Sequence, residues 1–271
     1  KIKVSFLTAQ PDGSINLKEY EQTFRANTKL VILNHSSNLL GTIMPVAEMA
    51  QIAKSKGALV LIDAAQTAGM IPIDVSQIEV DLLAFPGHKG LLGPQGTGGL
   101  YIHPNLELEP LLTGGTGSKS EDKYQPNVRP DRYEAGTQNT VGIAGLGEGV
   151  KFVQNETVER IQAKKNTQIM KLMDKLSSID RLQILGPGIG IPRTGLVSFV
   201  LKNIDAAELA FILDQTFDIA VRAGYHCTPL AHQVAGTLDG GAVRASISYF
   251  TSDEEVDALA DALKEIAKHY T

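Results

Sequence analysis

The chain has 271 residues, 43% of them hydrophobic and 20% charged, enough for one large domain or two smaller ones with a real core. Its 25 Lys and Arg against 30 Asp and Glu give a formal net charge of −5, which leaves no basic footprint for nucleic acid. A single cysteine, Cys227, excludes an internal disulfide framework, and the absence of a bilayer-length apolar run or a signal-peptide pattern leads to the expectation of a soluble, cytoplasmic protein with no nucleic-acid or membrane partner.

In chain order, KIKVSFL at 1–7 is apolar and β-branched and reads as a strand. DGSINLKEYEQTF reads as a turn leading into a short amphipathic helix, and TKLVILN as a buried strand. MPVAEMAQIAKSKG has Pro45 near its start and Gly57 just past its end, the asymmetry of a helix. ALVLIDAA, VDLLAF and GGLYIH are further strands. Continuous apolar strands alternating with helices predict an α/β fold with a mostly parallel sheet. TGGTGSKSEDKYQPNVRP at 113–130 has few apolar anchors and reads as a long surface loop. Residues 142–179 read as helical, with the glycines of GIAGLGEG packing closely at the start. Beyond them LQILGP, GLVSFVL, IAVRAG and AVRASISYF read as strands of a small α+β domain. Asp205 with Glu208, and Ser252 with Glu255, mark two helix starts between and after these strands. The expected division is 1–138 for the larger domain, of which this is the C-terminal part, and 139–271 for the smaller.

Two polar residues follow apolar strands, and so belong at the carboxyl edge of a parallel sheet, where ligands bind. Asp63 ends LVLID; alone it reads as an N-cap on the next turn, with Gln66 completing a capping box. Lys89 follows VDLLAF within FPGHKGLLGPQGTGG. A buried lysine beside other polar groups becomes a nucleophilic amine, and Gly87 and Gly90 are expected to keep the backbone open for a ligand. Lysine plus acid at one edge is what pyridoxal phosphate requires: an amine for its aldehyde and a carboxylate for its ring nitrogen. His35, in LNHSSN, reads as lining this edge or, more simply, as supporting a loop; His103 and His232 read as structural or solvent-facing. No His, Cys and carboxylate cluster has metal-ligand spacing, and GPQGTGG lacks the dinucleotide and P-loop spacings.

Four motifs in this order, NHSSNLLGTIMPVAEMAQIAKSKGALVLIDAAQTAGMIPIDV, DLLAFPGHKGLLGPQGTGGLYI, DRYEAGTQNT and VRAGYHCTPLAHQ, resemble the class V aminotransferase superfamily, and within it the cysteine desulfurases of the SufS and selenocysteine lyase type. The resemblance covers essentially the whole chain. It implies a fold-type-I pyridoxal 5'-phosphate enzyme, normally a homodimer, with L-cysteine or selenocysteine as substrate and a sulfur-acceptor protein as a possible partner. It makes Lys89 the Schiff-base lysine and Asp63 the partner of the pyridinium nitrogen. Gln66 and Asn38 fall near the ring hydroxyl, and His88 at the phosphate. Thr116 is where the neighbouring subunit contributes to the phosphate site. Arg244 clamps the substrate carboxylate, for which a guanidinium fork is suited, and Arg222 is a second substrate-binding residue. Cys227 attacks the substrate sulfur as a thiolate, leaving a persulfide and releasing alanine; Arg222 and His226 close by in sequence favour the thiolate.

The chain departs from that pattern at three points. Pro86 stands where the family has a small hydroxyl residue, so one phosphate contact is expected to be missing. HCTPLAHQ is one residue shorter between Cys and Pro. The family's N-terminal portion, with a phosphate-binding helix start and a ring-stacking side chain, has no counterpart in this sequence, and weak cofactor binding is expected from these residues alone. The alternatives are a selenocysteine lyase or another class V aminotransferase, which has no need of Cys227, and, outside the enzymes, an inactive truncated scaffold.

Overall fold

The computed structural model describes residues 2–119 and 121–270 and contains two four-stranded sheets. The first runs β1 (Leu30–Asn34), β2 (Leu59–Asp63), β3 (Leu82–Pro86) and β4 (Gly98–Ile102) in spatial as in chain order. β1, β2 and β3 are parallel, and β4 returns antiparallel to β3. The fold is therefore α/β with a mostly parallel sheet, as the strand and helix alternation predicts. Two helices, α1 (Leu17–Gln22) and α2 (Val46–Ser55), pack on one face, where Tyr20, Met49, Ala50 and Ala53 meet Leu33, Val60 and Ile62. The Tyr20 hydroxyl donates to the Met49 carbonyl at 3.0 Å and ties the two helices together. On the opposite face Ile32 and Leu100 are exposed.

Residues 2–7 of KIKVSFL form no strand, and residue 1 lies outside the described residues. Residues 2–10 adopt no regular element, and Ile2, Val4 and Phe6 are exposed. β-propensity yields a strand only where a partner accepts the backbone hydrogen bonds, and among the described residues no strand pairs with this segment.

The second sheet is antiparallel, in the order β5 (Leu182–Ile184), β6 (Leu196–Leu201), β8 (Ala242–Ser246), β7 (Arg222–Gly224). Its core joins Phe199 and Val243 to Leu172 and Leu176 of α4 (Val158–Ser177), Leu209 and Leu213 of α5 (Ala206–Phe217) and Leu263 of α7 (Asp253–His269). The Ser252–Glu255 capping box of α7 is fully formed. At α5, Asp205 caps as expected by accepting from the Ala207 N–H, but Glu208 instead accepts from the Tyr270 hydroxyl. Between the sheets lies α3 (Thr140–Glu156), whose Gly145 and Gly149 sit against Pro94 and the Leu91 and Leu92 carbonyls; any side chain at 149 would collide with them.

The 36–42 loop, which follows β1, joins the two sheets. Leu39 and Leu40 form a third apolar cluster with Leu185 and Ala242. The Thr194 N–H donates to the Gly41 carbonyl at 2.9 Å, the Ser36 and Thr194 hydroxyls lie 2.9 Å apart, and the Ser198 hydroxyl donates to the Leu39 carbonyl. Beside them the buried Arg193 guanidinium donates to the Leu185 and Pro187 carbonyls.

Candidate functional site

The parallel register aligns Asn34 with Asp63 and Asp63 with Ala84, so the ends of β1, β2 and β3 form one carboxyl edge. Asp63 lies on it half-buried. Its Oδ1 accepts from the Ala65 N–H at 2.8 Å, which shapes the turn after β2, and its Oδ2 has no hydrogen-bond partner among the described residues. Gln66 is half-buried on the same turn. His35 follows β1, its N–H donating to the Asp63 carbonyl at 3.0 Å. Its imidazole is buried, Nδ1 lies 3.0 Å from the Thr67 hydroxyl, and burial pushes it down to about 4, so the ring is neutral at pH 7. This is the supporting role expected from its position.

Lys89 stands on a turn closed by the Gly87 N–H to the Thr97 carbonyl and the Gly93 N–H to the Gly87 carbonyl, both 2.8 Å. Pro86, the last residue of β3, lies opposite Gly98. Two expectations are corrected here. Lys89 is exposed rather than buried, as is His88. The glycines beside it do not open the backbone to a ligand: a Cβ on Gly87 would strike Thr97, and one on Gly90 the Ala68 carbonyl and Met70. They are small so that this turn can seat against the Ala68–Met70 backbone and α3. Seating fixes the lysine Cα while leaving its amine free at the edge.

Beneath that contact lies a residue the motifs do not mark. Lys165 of α4 is 3% exposed, and its Nζ reaches Met70 Sδ. Burial pushes it down to about 8. It occupies the apolar stripe of α4 one turn from both Ile161 and Ile169, which was the signal available in the sequence.

Cys227 is exposed on the turn between β7 and α6 (Pro229–Ala235). His226 and Cys227 are consecutive non-glycine residues at φ 52° and 60°, a conformation that costs on the order of 1 kcal/mol for each. Several bonds hold it. The Arg222 Nη2 lies 3.5 Å from Cys227 Sγ. The Asn38 Nδ2 donates to the His226 carbonyl at 2.7 Å, and Arg244 Nη1 donates to the Asn38 carbonyl at 2.9 Å. Asn38 therefore commits one amide N–H to the cysteine turn and keeps its second N–H and Oδ1 for other partners. Behind the turn His226 Nε2 is 3.1 Å from the Arg222 carbonyl, Nδ1 is 3.5 Å from His232 Nε2, and His232 Nδ1 is 2.7 Å from the Thr237 hydroxyl. His232 is fully buried, structural rather than solvent-facing, and this chain had no signal in the spacing of the sequence.

Arg222 and Arg244 face each other across β7 and β8. Burial, with the Arg222 charge second, lowers Arg244, and its buried Nε has no partner. Neither arginine, nor Lys89, forms an ion pair among the described residues. Unspent positive charge beside a thiol is suited to an anionic substrate and a thiolate. Thr116 lies apart from these groups. Its hydroxyl is 3.0 Å from that of Ser118, and it lines a cavity of about 400 Å³ with Thr97, Asp131 and Asn139.

The class V aminotransferase family profile matches residues 1–259. A probable cysteine desulfurase of Methanothermobacter thermautotrophicus is 40% identical over 98% of this chain and 67% of its own length. A cysteine desulfurase of Haloferax volcanii is 35% identical over 96% of this chain and 61% of its own. The apo structure of a cysteine desulfurase from Thermococcus onnurineus superimposes with a TM-score of 0.92 at 34% identity, covering 98% of this chain and 66% of that one. The chain thus spans about two thirds of the length of the relatives it matches. Among the described residues no helix is long and apolar enough to cross a membrane.

Proposed function

Because the chain belongs to the class V aminotransferase family, on its cysteine desulfurase branch, we propose that it takes sulfur from L-cysteine with pyridoxal 5'-phosphate, yielding alanine and a persulfide on Cys227. The donor set fits that cofactor. Lys89 offers an unpaired primary amine, Asp63 a carboxylate with a free Oδ2, and His88 an exposed imidazole, all at one strand edge. Gln66 and the Asn38 Oδ1 are the remaining cofactor-side groups, and Thr116 serves the equivalent site of a partner subunit in a homodimer. Residues 1–138 form the cofactor-binding part and 139–271 the smaller domain. Cytoplasmic placement agrees with a free, exposed thiol.

When bound, the cofactor supplies the electron sink that lets the substrate α-carbon lose its proton. Asp63 keeps a proton on the ring nitrogen by its charge. Lys89, whose side chain is exposed, moves the α-proton. Arg244 binds the substrate carboxylate, and Arg222 lies 3.5 Å from Cys227 Sγ, its charge facing the sulfur that reacts as a thiolate. That thiolate attacks the substrate sulfur: the S–S bond forms as the C–S bond breaks, and the electron pair goes to the β-carbon, which takes a proton. Cysteine and a thiol give alanine and a persulfide, with atoms and electrons balanced. Selenocysteine has the same geometry and enters by the same groups.

The observation that carries this reading is Cys227, exposed in a left-handed turn with a guanidinium on its sulfur and tied by Asn38 to the loop after β1. An aminotransferase has no use for it. Alanine and sulfide release from L-cysteine, with pyridoxal phosphate and a thiol reductant, tests it. Cys227→Ala should lose at least ~100-fold in sulfide release and Lys89→Ala should lose alanine as well. Sulfide release by Cys227→Ala at the unsubstituted rate would overturn the assignment.

A further inference from the structure

We propose that His232 is a positioning residue for Cys227, acting through His226, a role that rests on the sulfur-accepting reading of Cys227. One bond in the chain behind the turn has a fixed direction, and a neutral His226 sets the others from it. A carbonyl can only accept, so His226 Nε2, 3.1 Å from the Arg222 carbonyl, carries the hydrogen. In a neutral ring Nδ1 is then an acceptor, and the His232 Nε2 facing it must donate. That leaves His232 Nδ1 to accept from the Thr237 hydroxyl at 2.7 Å. The ring planes lie within 11° of parallel with centroids 5.7 Å apart, the edge-to-edge arrangement of an in-plane N–H···N contact, so neither can rotate without losing its neighbour.

This chain of single protons ends at the carbonyl of Arg222, whose guanidinium meets Cys227 Sγ, and it grips the side chain of the residue immediately before Cys227. Asn38 grips that residue's carbonyl from the other side. The two holds keep consecutive left-handed residues in place and present Sγ to the arginines. The chain also has to stay neutral. Arg222 and Arg244 face it from β7 and β8, Tyr225 packs edge-on to His232 at 5.5 Å, and Cys227 flanks it. None of the arginines or histidines of the group is in an ion pair with a carboxylate among the described residues. Burial, the largest cause, and these charges push His226 down to about 4. Protonating His226 would set its Nδ1–H against the Nε2–H of His232.

Cys227 is the sole cysteine of the chain, so alkylation by iodoacetamide reports on it alone. The test compares the protein with His232→Leu, His232→Gln and Thr237→Val. Three readouts are taken: the alkylation rate against pH, persulfide formation from L-cysteine, and borohydride trapping of pyridoxal phosphate on Lys89. His232→Leu should keep trapping on Lys89, alter the pH profile of alkylation, and lose persulfide formation ~10-fold or more. His232→Gln, which can still donate to His226, should recover at least half of the activity. A His232→Leu protein whose alkylation profile and persulfide formation stay within ~2-fold of the unsubstituted values would overturn the role, and so would loss of trapping in parallel with them. Should His232→Leu not fold, Thr237→Val decides: a shift of the same sign supports the role and no shift overturns it. Alkylation requires no turnover, so failure here is distinguishable from failure of the sulfur-transfer reading, which Cys227→Ala tests.

Discussion

Lys165 and His35 are single residues whose burial makes the stability of the molecule depend on pH. Both have pKa values held below their unfolded ones, so in each case the unfolded chain binds the extra proton and stability falls as pH falls. For His35 the window runs from 6.5 down to about 4. Above it both states are neutral and nothing is lost; below it about 3 kcal/mol is lost. Urea midpoints measured between pH 7 and pH 4 should therefore drop less in His35→Asn than in the unsubstituted protein, and equal drops would contradict this. For Lys165 the window runs from 10.5 to about 8, so at pH 7 the full penalty is present. Lys165→Met fills the same space without the charge and should stabilise the fold at pH 7 by on the order of 3 kcal/mol, an advantage that vanishes above pH 10.5. A destabilised Lys165→Met protein at pH 7 would show that the ammonium holds Met70 in place by more than it costs to bury.

At the scale of elements, the capping box of α7 and the 36–42 loop make separate contributions. Ser252→Ala removes the side chain that accepts from the Glu255 N–H and should cost about 1 kcal/mol; a change within error would mean that the packed face of α7 alone fixes its start. The 36–42 loop carries Asn38 to the cysteine turn, so Asn38→Ala should lower persulfide formation on Cys227 more than cofactor trapping on Lys89. Equal losses in both would place Asn38 at the cofactor alone. Most of the helices, though not α6, and the strands of both sheets could be read from the sequence, because apolar periodicity, Pro45, Gly57 and the Ser252–Glu255 pair are local signals. KIKVSFL misled because a strand also needs a neighbour. Gly87 and Gly90 misled because small residues next to a functional lysine look the same whether they admit a ligand or another turn of the chain. The contact of α3 and the Ala68–Met70 segment with that lysine turn is set by residues far away in sequence.

For the whole molecule, the proposed reaction divides between the two sheets. The parallel sheet presents Asp63 and Lys89 at its carboxyl edge, and the antiparallel sheet presents Arg222, Arg244 and Cys227. Every one of these residues stands out in the sequence by type and motif. What joins them does not: Asn38 bonding to His226, Ser36 meeting Thr194, and the buried rings of His226 and His232 are contacts across more than a hundred residues or within a turn of no regular pattern. The central claim is that the sulfur leaving the substrate arrives on Cys227, and mass analysis of the Cys227 peptide after incubation with L-cysteine and pyridoxal phosphate measures it most directly. One added sulfur atom, removable by reductant and absent from protein alkylated beforehand, is the expected result. Alanine released with no sulfur gained at Cys227 would contradict it.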